Sequence, residues 1–165
     1  MKREVFIDTF GAVFEHSAWV AKSVFDKGVD QLLSEMDTDG LSERFRSVFL
    51  NAPPERQLAT LRAHPQLACA LAEPTALTHE SASEQSGAGL DRCSESEYRE
   101  FGRLNNEYME KFGFPFIIAV KGLERREILD TFRKRLTNNA HQEYQTALAQ
   151  VCRIARFRIG DILDG

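Results

Sequence analysis

Cysteine is scarce in this sequence. The three present, Cys69, Cys93 and Cys152, stand far apart and are odd in number. That excludes a disulfide framework and suits reduced thiols in a cytoplasmic protein. None has an identifiable basic companion to activate it, so inert core thiols are expected. No uninterrupted apolar run of about 18 residues occurs, so no transmembrane helix is expected. The opening MKREVFIDTF lacks both a continuous apolar core and a small-residue cleavage site, so no secretory leader is expected. The closing GDILDG is not an address of the Ser-Lys-Leu type. Basic excess is also missing: the net charge of −4 argues against a general nucleic-acid binder.

Several catalytic signatures are absent as well. There is no Gly-Lys-Ser/Thr phosphate loop, and Gly87-Ala88-Gly89 follows no strand, which removes the dinucleotide fingerprint. No nucleophile elbow occurs. His79-Glu80 begins a zinc-protease string, but Ser83 stands where the second histidine belongs. The four histidines, His16, His64, His79 and His141, have no metal-ligand spacing.

What remains is ordinary for one soluble globular domain. The chain has 165 residues, 42% of them hydrophobic and 28% charged, enough to bury a core without staples. Helical periodicity dominates. Phe6, Phe10, Val13, Phe14, Trp19, Val20 and Val24 mark one or two short helices, and Phe45, Val48 and Phe49 another. The chain breaks at Pro53-Pro54, after which Leu58 and Leu61 mark a new helix, and Pro65 reads as a first-turn residue of a further one. Ser94-x-x-Glu97 is a capping-box pattern opening a face of Tyr98, Phe101, Leu104, Tyr108 and Phe112, with Gly113 as the stop. Two more helices carry Ile128, Leu129, Phe132 and Leu136, then Tyr144, Leu148, Val151, Ala155, Ile159 and Ile162.

Only FPFIIAV, 114–120, resembles a strand, and a lone strand has no partner to make a sheet. It reads as a buried extended segment whose backbone groups need partners, from side chains and water or from a ligand. The expectation is an all-α fold, a single-domain helical bundle of about seven to nine helices spanning 1–165 without significant sheet. The longest interruption of helical pattern is the polar stretch 73–89.

Three places carry candidate chemistry. His64 is held out of the α region by Pro65, which suits a ring presented in one orientation, or an ordinary interfacial histidine. Ser81-x-x-Glu84 reads as a capping box, or as a helix start whose free N–H groups and small neighbours Ala82 and Ser83 leave room for an anion or a heterocycle. Arg153, Arg156 and Arg158 near the C-terminus form a solvated basic face, or turn one guanidinium inward onto a carboxylate. A non-catalytic helical binding module fits composition and periodicity equally well.

The elements AHPQL at 63–67, LTHESASEQSGAGLD at 77–91 and LNNEYMEKFGFPFIIAVKG at 104–122 form an ordered set. In that order they resemble the family of 2-oxo-4-hydroxy-4-carboxy-5-ureidoimidazoline (OHCU) decarboxylases, over nearly the whole chain. The resemblance implies decarboxylation of OHCU to (S)-allantoin, the last step from urate, by an all-α homodimer that uses no cofactor and no metal. It implies that His64 is the catalytic histidine and Glu84 its partner carboxylate. Pro65, Ser81, Ala82, Ser83 and Gln85 fall at substrate-contacting positions. So do the backbone of Phe116, Ile117, Ile118, Ala119 and Val120, and Arg156 of the last helix. Lys121 departs from the arginine of some relatives, at what would be the pocket rim. The implied partner is a small molecule, with no nucleic acid and no membrane, in the cytoplasm.

Overall fold

Most stretches with apolar residues three and four apart are helical, whereas Val13 and Phe14 lie in the turns between the first two helices. The computed structural model describes residues 1–68 and 77–165. Among these there are eight α-helices, two short 3₁₀ turns and no strand. The all-α expectation holds. In chain order the helices are α1 (Arg3–Phe10), α2 (Trp19–Asp26), α3 (Thr38–Leu50), α4 (Pro54–Ala63), α5 (His79–Gly87), α6 (Glu95–Phe112), α7 (Arg125–Arg135) and α8 (Ala140–Asp164). No described helix is long and apolar enough to cross a membrane.

The chain divides into two units, Met1–Ala63 with Leu148–Gly165, and His64–Ala147. The first is built on aromatic side chains. Phe6 and Phe10, one turn apart on α1, pack 4.9 Å centroid to centroid, and Phe14 stacks on Phe45 of α3 at 6.3 Å. Side chains of this size lose most of their apolar surface to water-free contact, each contributing about 1.5–3 kcal/mol. Among the described residues of this unit, one ion pair is buried. Arg158 Nη1 donates to Glu15 at 3.0 Å, and both residues are buried.

The second unit contains every element that the resemblance marks except Arg156. Its longest complete helix, α6, starts on the expected capping box: Ser94 Oγ accepts from the Glu97 N–H, and Glu97 Oε1 accepts from the Ser94 N–H. It ends at Gly113, in the left-handed region at φ 78°. Residues 114–120 then run extended, outside any ladder and buried throughout.

Candidate active site

Pro65 does not start a helix. Residues 64–68 are irregular, and the helix expected from Pro65 is absent up to residue 68. His64 lies just past the end of α4 and is 8% exposed. Ala68 is in the left-handed region at φ 58°, strained for a residue with a Cβ. Side chains from two helices hold this stretch. The Ala68 N–H donates to Gln85 Oε1 at 3.0 Å, and Gln85 Nε2 donates to the Gln66 carbonyl at 3.4 Å. Asn105 Nδ2 of α6 donates to the Leu67 carbonyl at 3.0 Å.

Gln85 belongs to α5, a nine-residue helix inside the polar stretch 73–89, which the sequence reads as an interruption of helical pattern. Its N-cap is Thr78, not Ser81. Thr78 is extended at ψ 162° and its hydroxyl accepts the Ser81 N–H at 3.2 Å. Ser81 therefore sits inside the first turn. Residues i and i+4 share a helix face, and Ser81 and Gln85 are the two buried residues of α5. Glu84, beside Gln85, is half-buried, and Ala82 and Ser83 are exposed.

The helix ends at once because Gly87-Ala88-Gly89 makes a Schellman turn. The Leu90 N–H donates to the Gln85 carbonyl at 2.8 Å and the Gly89 N–H to the Ser86 carbonyl at 3.0 Å, with Gly89 at φ 77°. Gly89 also lies close to a side chain of another helix. A Cβ there would lie 2.8 Å from Arg125 Nη1, which donates to the Gly89 carbonyl. The approaching group is thus the first residue of α7. A polar hollow of about 380 Å³ lies at this end of α5, bounded by Arg92, Glu97 and Arg125.

The extended segment is held by a buried polar network that periodicity did not reveal. Arg135 Nη1 donates to the Ile117 carbonyl at 2.6 Å, and its guanidinium lies 4.3 Å from the Phe116 ring centroid. Its Nε donates to Glu143 Oε1 at 2.6 Å. Nη2 sits 2.6 Å from the same oxygen without a hydrogen bond of its own. Tyr108 Oη donates to that oxygen at 2.6 Å, and Asn138 Nδ2 donates to Oε2 at 3.1 Å. Glu143 is fully buried. Burial, then the bond to Glu143, raises the Tyr108 phenol well above its ordinary range. Phe116 stacks on Phe132, centroids 3.8 Å apart. A side chain therefore supplies one of the partners that the segment's backbone needs.

Of the last helix's arginines, Arg158 is the buried one. Arg156 is exposed and donates to Asp39 Oδ1 through Nε at 2.8 Å, while Arg153 lies over Phe157. Cys93 and Cys152 are free, and burial raises both thiols, Cys152 to about 12. Cys69, and 73–76 of the polar stretch, lie outside the described residues.

The residues missed by sequence reasoning are Asn105, Arg135 and Glu143. Asn105 left a trace, because it interrupts the buried stripe Phe101, Leu104, Tyr108 with a poor helix former. Arg135 and Glu143 left none. Each stands one position before the residue that periodicity favoured, Leu136 and Tyr144.

Comparison with known proteins agrees in kind. The model of the OHCU decarboxylase family matches residues 1–160. A 2-oxo-4-hydroxy-4-carboxy-5-ureidoimidazoline decarboxylase of Halalkalicoccus jeotgali is 39% identical over 160 residues, covering 97% of this chain and 86% of that protein. The uric acid degradation bifunctional protein of Bacillus subtilis is 36% identical over 163 residues, which are 99% of this chain but 31% of that protein. The crystal structure of an (S)-allantoin synthase superposes with a TM-score of 0.77 at 25% identity. It covers 98% of this chain and 51% of that one, so the chain spans about half of it.

Proposed function

Since the chain belongs to the OHCU decarboxylase family, we propose that it removes the carboxylate of OHCU as CO2 and yields (S)-allantoin. The observation that carries this reading is the pair of bonds from Gln85 to Ala68 and Gln66. They fasten the stretch that follows His64 to the helix that bears Glu84.

The substrate dictates what the residues must do. When the bond to the carboxylate breaks, its electron pair moves into the adjacent ring C=N. The hydroxyl-bearing carbon becomes a carbonyl as the ureido-bearing carbon takes up a proton, one proton being consumed in all. The substrate is its own electron sink, so the protein orients, stabilises charge and protonates one face. His64 donates that proton. An imidazole titrates near working pH, about 6.5, which suits a general acid. Glu84 accepts a hydrogen bond from substrate or imidazole and favours the charged ring. Pro65 fixes the backbone beside His64. Ser81, Ala82, Ser83 and Gln85 contact substrate from α5, Gln85 with part of its amide already engaged. The backbone of 116–120 lines the ring and supplies fixed dipoles. Arg156 pairs with an anionic group. In this reading the enzyme is one cofactor-free domain, works as a homodimer and resides in the cytoplasm.

The test is turnover of freshly generated OHCU, followed by the optical signal of (S)-allantoin. His64→Ala and Glu84→Ala each lower kcat/KM by roughly 10²–10⁴-fold. Variants that both keep the wild-type rate above the spontaneous background would overturn the assignment. Stabilisation of the wild type by allantoin in thermal unfolding, without turnover, would make the protein a binder instead.

A further inference from the structure

We propose that Asn105 is a positioning residue for His64, acting through the carbonyl of Leu67. The inference rests on the role given to His64 above.

Asn105 is out of place by every local criterion. It sits in the interior of α6, where asparagine is a poor helix former. It lies within the stripe of Phe101, Leu104 and Tyr108 and is only 5% exposed. Its Nδ2 is committed to the Leu67 carbonyl, and its Oδ1 is buried without a hydrogen-bond partner among the described residues. A buried polar atom left unpaired is costly, and a leucine of similar volume would avoid that cost. What the asparagine supplies in return is one donor, aimed at the chain three residues beyond His64.

That donor matters because of where the stretch is otherwise fixed. Pro65 has a locked φ and restricts His64 to extended backbone. Beyond it, Ala68 is held in the left-handed region with its N–H on Gln85. The carbonyl of Leu67 is the other end of the planar peptide that carries this N–H, so Asn105 and Gln85 grip that peptide from its two ends. With it anchored to α6, the peptides leading from His64 to Ala68 have one arrangement. Without it, that peptide keeps only its bond to Gln85 and can tilt about it, and the backbone that sets the imidazole loosens. Misplacing a reacting group by about 1 Å costs on the order of 100-fold in rate.

The experiment compares Asn105→Leu and Asn105→Asp with the wild type on freshly generated OHCU. Leucine removes the donor at similar volume. Aspartate keeps the shape and turns an acceptor toward an acceptor. The expected result, in variants with wild-type circular dichroism, is a fall in kcat on the order of 10- to 100-fold with KM within about threefold of wild type. A merely structural asparagine would lower the thermal midpoint and leave kcat of the folded enzyme unchanged. A folded variant that keeps kcat within about twofold, or that raises KM alone, overturns the proposal. If one variant fails to fold, the other decides. His64→Ala is run alongside. If it retains the wild-type rate, the reading of His64 fails. If it is inactive while the Asn105 variants are not, only the positioning role fails.

Discussion

Three arginines of one helix separate cleanly at the level of single side chains. Arg158 is buried against the buried Glu15, so Arg158→Leu leaves a carboxylate without its cation. Breaking one partner of such a pair costs about 3–5 kcal/mol, and the urea midpoint should fall accordingly. Arg156 and Asp39 form an exposed pair, with side chains 51% and 71% accessible. Exposed pairs contribute about 0–1 kcal/mol. Arg156→Gln should therefore leave the urea midpoint almost unmoved, and the proposed contact with substrate predicts a raised KM. Asp39→Asn should match it in stability but not in KM. Equal KM for Arg156→Gln and wild type would remove Arg156 from the substrate set. The sequence presented the three arginines as alternatives. The partners of Arg156 and Arg158 are 117 and 143 residues away in the chain, a distance no local pattern spans.

Helices and the extended segment pose a different question, that of what holds an element in place. Apolar spacing of three and four marked the helices because burial follows it. The Ser94 capping box was legible because both of its residues are local. The support of 116–120 was not. Arg135, Glu143 and Tyr108 converge from α7, α8 and α6, and periodicity ranks charged residues as surface. Asn105 escaped because its partner lies 38 residues away, and the resemblance marked Gln85 without revealing its bond to the backbone 17 residues back. The network makes a prediction of its own. Glu143→Gln or Arg135→Met alone should cost about 3–5 kcal/mol in urea unfolding, and the double variant less than the sum of the two. Additive losses would show that the pair is not coupled. At the head of α6, the bond from the Ser94 N–H, then that from Arg125, holds the Glu97 carboxyl below its ordinary range against the opposing effect of burial. A lowered folded-state pKa stabilises at pH above the unfolded value, about 4.3, and the gain disappears as pH falls through the folded value. The stability difference between wild type and Glu97→Gln should thus be larger near about pH 6 than near about pH 3. A difference that grows on acidification would reverse the sign and refute the argument.

For the molecule as a whole, the candidate residues are unevenly distributed. His64, Pro65, 81–85 and 116–120 all belong to the unit His64–Ala147, and Arg156 belongs to the other. Fold class and family were legible because apolar periodicity and three ordered motifs persist along the whole chain. The need for a cofactor is decided at this scale too, because it depends on what the assembled protein must supply. In OHCU the ring C=N next to the breaking bond receives the electron pair. No outside acceptor is then required, and the remaining demands are orientation, hydrogen bonding and one proton. In the proposed reading, the His64 imidazole, the Glu84 carboxylate and the backbone of 116–120 meet those demands. Among the described residues no three His, Cys, Asp or Glu side chains gather as ligands for an ion. Because the substrate is its own electron sink in the proposed reaction, activity measured after exhaustive dialysis against EDTA should equal that of the untreated protein, with the thermal midpoint unchanged. A loss of turnover that zinc or another divalent ion restores would mean that the electron pair, or the leaving carboxylate, needs a charge the polypeptide does not provide. The proton-donor role of His64 would then have to be reassigned along with it.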